Sequence, residues 1–168
     1  MKIPICTFDA KTGILCAKCE SKLRLGQLKQ ADVEGAIKLT NLADRNQDVS
    51  KFTMIGAAKV DSDFILILRG SDIGVLRSNT TLPTKFEHEF QSKVWFVEAE
   101  ATDKRFIENL FFPRKVLTVN LIWLPDGSKL TRVQIAGKSN NSELKNTIEK
   151  IKKIAKEIRN IELLVEFE

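Results

Sequence analysis

The same order of elements runs twice through this 168-residue chain, and that repetition constrains the fold more than any other feature. In the first copy, Val33, Ala36, Ile37, Thr40, Leu42 and Ala43 fall near one helical face across residues 30–44. Strands are predicted over 53–60 and 64–69, with Asp61-Ser62-Asp63 as the turn between them. Gly70-Ser71-Asp72 breaks the second strand, and residues 73–77 fit a short helix. Pro83 stands where it can open another helix, running to residue 91. Residues 93–98, rich in Val, Trp and Phe, read as a third strand.

The second copy begins with a helix over 103–111, where Phe106, Ile107 and Leu110 share one side and Pro113 ends the run. Strands over 116–124 and 130–135 flank Pro125-Asp126-Gly127-Ser128, whose Asp-Gly step is a strong hairpin signal. Leu144, Ile148, Ile151, Ala155 and Ile158 step by three or four along a helix that Ser142 can cap. A strand over 161–167 closes the chain, and the short middle helix of the first copy is reduced to a polar loop over 137–141. The expected fold is therefore α+β. It has a head over 1–28, a complete α-β-β-α-α-β lobe over 29–100 and a trimmed lobe over 101–168.

Composition narrows the function. With 43% hydrophobic and 29% charged residues the chain can bury a core, which argues against disorder. Its longest apolar runs are strand-sized, and Cys6, Asp9 and Lys11 interrupt any leader-like stretch, so a cytoplasmic protein with no membrane partner is expected. His88 is the single histidine, which leaves little for a catalytic triad or a His-rich metal site. No P-loop, dinucleotide fingerprint or nucleophile elbow occurs. The expectation is a protein that is not an enzyme and has no small-molecule substrate. A net charge of +5 permits a nucleic-acid partner without demanding one.

The helix–strand–strand–helix–helix–strand order is the type II KH arrangement, and a tandem pair this short resembles the archaeal NusA-like transcription elongation/termination factors. The stretch from Asp103 to Val116, DKRFIENLFFPRKV, is similar to the segment that joins the two KH units in that family. The head resembles a cysteine-containing extension present in some relatives. The resemblance implies single-stranded RNA as partner. KH units hold such strands at a Gly-x-x-Gly loop, where the backbone approaches the phosphates closely. Here both loops depart from that pattern. Ser78-Asn79-Thr80-Thr81 has neither glycine, and Gly137-Lys138-Ser139-Asn140 has one.

On this resemblance the RNA-contacting residues of the first lobe are Arg69, Arg77, Ser78, Asn79, Thr80, Thr81 and Lys85. In the second they are Lys138, Asn140 and Lys145. Arg77 and Lys85 can neutralise phosphate, and Ser, Asn and Thr side chains can still hydrogen-bond to it. Alternatively the tetrapeptide is an ordinary polar helix–helix turn, with Thr81 as a cap. Lysines over 150–159 read as the solvated face of an amphipathic helix. Because both glycine loops are degenerate, a second reading is an adaptor on RNA polymerase or the ribosome whose lobes have lost RNA binding.

All three cysteines lie in the head. Cys6-x2-Asp9 and Cys16-x2-Cys19 are two knuckle-like pairs, with a carboxylate where a fourth thiolate is usual. One structural zinc ion is the cofactor this set suits, with Asp9 or water as the fourth ligand. Three reduced cysteines, or a Cys16–Cys19 disulfide, are the alternatives.

Overall fold

A nearly continuous buried strand organises the N-terminal half: of residues 63–68 all but Ile67 are buried. The computed structural model describes residues 1–137 and 141–168, in two units, Met1–Glu100 and Ala101–Glu168. In the first unit, β1 (Met54–Val60) and β2 (Asp63–Leu68) pair antiparallel, and β3 (Val94–Glu98) pairs parallel to β2. Phe64, Leu66 and Leu68 of β2, with Met54 and Ala57 of β1, are buried in one core. Helix α3 (Gln30–Ala43) lies on β1 and contributes Val33, Ala36, Leu39 and Leu42 to that core.

The link from β2 to β3 is a pair of helices, α4 (Gly70–Ser78) and α5 (Leu82–Phe90). Helix α4 starts three residues before the predicted onset, because the Gly-Ser-Asp sequence that stops the strand serves as its first turn. Asp72 there is buried and its Oδ2 accepts the Thr53 backbone N–H at 2.7 Å, pinning α4 beside the entry to β1. Phe86 of α5 is wholly buried, with ring centroids 6.3 Å from Phe52, 6.0 Å from Phe90 and 5.0 Å from Phe96. Such offset and edge-to-face pairs add about 0.5–1.5 kcal/mol each to area burial.

The head departs from the irregular segment expected from its sequence. It forms α1 (Thr7–Thr12) and α2 (Ala17–Arg24), and Ile5, Ala10 and Cys19 join the first unit's core. Gly13 ends α1 at φ 76° with its N–H on the Asp9 carbonyl, a left-handed position where a Cβ is disfavoured. Lys2 is fastened next to β1: its N–H donates to the Phe52 carbonyl and its carbonyl accepts from Met54 N.

The second unit repeats the topology. After α6 (Asp103–Phe111), β4 (Val116–Trp123) and β5 (Lys129–Ile135) form the antiparallel hairpin, and β6 (Leu163–Phe167) pairs parallel to β5 after α7 (Ser142–Arg159). Asn141 rather than Ser142 caps α7, its Oδ1 accepting the Glu143 N–H at 2.9 Å. Only residues 136–141 separate β5 from α7, a span too short for a counterpart of α4. The register places Val119, Leu121 and Trp123 on the sheet face of the buried Val133. Leu121 and Trp123 nevertheless stay 53% and 63% exposed, so the strand outruns its helical cover.

Two glycines within helices separate packing from propensity. A Cβ on Gly35 of α3 falls 2.8 Å from Met54 Cε and 3.3 Å from Ala57 Cβ, whereas one on Gly74 of α4 meets nothing within 4 Å. Thermal unfolding should therefore show Gly35→Val destabilised by about 1–3 kcal/mol through overpacking. Gly74→Ala should be stabilised by about 0.5–1 kcal/mol through helix propensity.

Candidate metal centre

The head builds one cluster from two matching half-sites. Cys6 is the N-cap of α1 with Asp9 three residues on, and Cys16 is the N-cap of α2 with Cys19 three residues on. At the start of a helix, that spacing carries both side chains to the same end. The Gly13 turn then faces the two pairs toward one another. Cys6 Sγ lies 3.6 Å from Cys19 Sγ and 4.0 Å from Cys16 Sγ. The four possible ligand atoms of Cys6, Asp9, Cys16 and Cys19 all lie within 4.8 Å of one another, close enough to hold a metal ion. All three cysteines are free thiols, which removes the Cys16–Cys19 disulfide.

Burial differs within the cluster. Asp9 and Cys19 are buried, while Cys6 and Cys16 reach the surface. The Cys16 backbone N–H donates to Asp9 Oδ2 at 3.1 Å, and this bond, helped by the Cys19 and Cys16 thiols, holds the Asp9 carboxyl below its usual range. Burial pushes the Cys19 thiol up to about 12. Asp9 is therefore an ionised oxygen donor fixed by the backbone of the opposite half-site. Cys19 becomes a thiolate only with a cation to stabilise it.

The residues expected to contact RNA are distributed differently. Arg69 is the N-cap of α4, with Nη2 at 3.4 Å from both Asp72 Oδ1 and the Lys51 carbonyl. Arg77 is in the last turn of α4, and Ser78 ends that helix with its hydroxyl on the Val75 carbonyl. Asn79 and Thr80 make the exit toward α5. Thr81 does not cap α5 through its side chain. Its N–H and hydroxyl both donate to Asn79 Oδ1, at 3.2 and 2.8 Å. Lys85 Nζ bonds Asn46 Oδ1 at 3.1 Å, in a depression shared with Leu42, Arg45, His88 and Glu89.

Six of these residues thus border the α4–α5 turn in the first unit, whereas Arg69 lies at the opposite end of α4 and is not brought to it. Lys145 is exposed in the first turn of α7, and Lys138 and Asn140 lie outside the described residues. Asn46 escaped sequence reasoning because a lone polar residue past a helix end carries no local signal. Asp32 carried no such signal either, since Lys29 has no side-chain acceptor to complete a capping box; its carboxylate accepts the Lys29 N–H at 2.9 Å and the Ala57 N–H at 2.7 Å.

No family model and no curated protein matches the chain. Among solved structures, the crystal structure of APE1850 is similar, with a TM-score of 0.51 and 12% identity, covering 78% of this chain and 95% of that one. At that identity the likeness concerns the fold alone, an α+β arrangement.

If the cluster works as a metal centre, protein purified without chelators should carry about one equivalent of metal by elemental analysis. Cys19→Ser should retain less than about a tenth of it, because one buried ligand of four is lost. Equal metal contents would remove the assignment.

Proposed function

We propose that the protein is a non-enzymatic, single-stranded RNA-binding protein of the archaeal NusA-like transcription elongation/termination kind, with one structural zinc ion in its head. The observation that carries this reading is the repeated topology. Each unit pairs an antiparallel hairpin with a third strand parallel to its middle strand, as in KH-like lobes. Three thiols and a carboxylate suit zinc, and a tetrahedral ion with Zn–S of about 2.3 Å would set its sulfurs about 3.8 Å apart. The observed separations of 3.6 and 4.0 Å fall on either side of that value.

In this reading Arg77 and Lys85 supply phosphate neutralisation beside the Ser78–Thr81 turn, and Lys145 supplies it at the start of α7. The hydrogen bonds that now occupy Asn79 and Lys85 are exposed, so exchanging them for phosphate contacts costs little. The same bonds also favour the second reading, a polymerase or ribosome adaptor, since they let the turn satisfy itself without RNA.

A filter-binding salt titration with single-stranded RNA separates the two. RNA function predicts submicromolar, salt-sensitive binding. The Arg77→Ala, Lys85→Ala double variant should bind more weakly and with a salt slope smaller by about 1.4, the share of two phosphates. No RNA binding alongside capture of RNA polymerase would establish the adaptor instead.

A further inference from the structure

We infer that the head is itself an RNA contact, with Phe8 and Ile14 forming a stacking platform for one unpaired base and Lys11 and Lys18 holding the adjoining phosphates. The inference rests on the RNA-binding reading above and gives it a location outside the α4–α5 turn. Phe8 and Ile14, at 75% and 73%, are the most exposed large apolar side chains among the described residues. Core packing does not account for them. They flank one hydrogen-bonded turn: the Thr12 hydroxyl donates to the Phe8 carbonyl at 3.0 Å and accepts the Ile14 N–H at 3.3 Å. Both ends of that turn belong to the metal cluster, since Asp9 follows Phe8 and Cys16 stands two residues after Ile14. The backbone that carries the two side chains is thereby held before any ligand arrives, which reduces the ordering cost of binding.

Charge selects the occupant. Residues 1–28 carry five basic side chains (Lys2, Lys11, Lys18, Lys22 and Arg24) against Asp9 and Glu20. Asp9 is buried in the cluster, which leaves Glu20 as the head's one exposed carboxylate. None of the five cations enters an ion pair among the described residues. A second copy of so basic a surface is repelled. An acidic peptide offers counter-charge but no flat face for an aromatic ring that lies open without a pocket. Single-stranded RNA offers both, and stacking on an aromatic side chain contributes about 1–3 kcal/mol per base.

The test uses the full, metal-loaded chain and a fluorescein-labelled ten-nucleotide RNA of mixed sequence, read by anisotropy. Phe8→Ala with Ile14→Ser should weaken binding at least fivefold with an unchanged salt slope. Lys11→Gln with Lys18→Gln should lower the slope by about 1.4. Both variants should keep the wild-type metal content, which shows that the head remains folded. A loss below twofold in the Phe8/Ile14 variant overturns the inference, as does equal affinity for a duplex of the same sequence or displacement of the RNA by polyglutamate at matched charge. If the wild type binds and only Arg77→Ala with Lys85→Ala weakens it, the head assignment fails while the RNA reading stands. If the wild type binds no single-stranded RNA, both fail.

Discussion

In each unit one strand pairing governs the rest: the third strand runs parallel to the middle one, β3 beside β2 and β6 beside β5. A tight turn cannot make a parallel pair, so the chain must cross the sheet before returning. In the first unit that crossing is α4, a turn and α5; in the second it contains α7. The crossing helices pack on the third strand they lead to, α4 and α5 on β3 and α7 on β6. They also fix where polar loop residues can be displayed, at the point where two crossing helices meet. Among the described residues the second crossing supplies one helix where the first supplies two, and the far end of β4 stays uncovered.

Much of this was legible in the sequence, because period and punctuation agreed. The stepping of Leu144, Ile148 and Ile151 marked α7, Pro113 closed α6, and Asp126-Gly127 located the hairpin. What escaped depended on partners distant in sequence. Two helices of six and eight residues are below the length at which hydrophobic periodicity is visible, and the head's order comes from cross-packing and its cysteine cluster. The early start of α4 follows from Asp72 reaching the Thr53 N–H, nineteen residues away. Asn141 displaced Ser142 as a cap because both suit the position and only the path of the chain decides.

The cluster itself was half legible. Spacing identified the four residues, but not that Asp9 is the buried, backbone-anchored member while Cys6 and Cys16 face outward. A carboxylate in that position keeps the charge that a fourth thiolate would bring, while accepting a hydrogen bond that locks the two helices together. The head is thus tied on one side to the first unit's core and on the other carries a rigid, basic turn.

Each unit contains one of the chain's two tryptophans, in opposite surroundings. Trp95 is buried with Nε1 donating to Asp63 Oδ2 at 3.1 Å, whereas Trp123 stands 63% exposed; each ring has a lysine ammonium over it, Lys93 at 4.2 Å and Lys129 at 4.6 Å. Their emission should be separable by colour and by access to an aqueous quencher. The chain therefore has built-in probes for asking whether its halves melt as one cooperative body or in sequence.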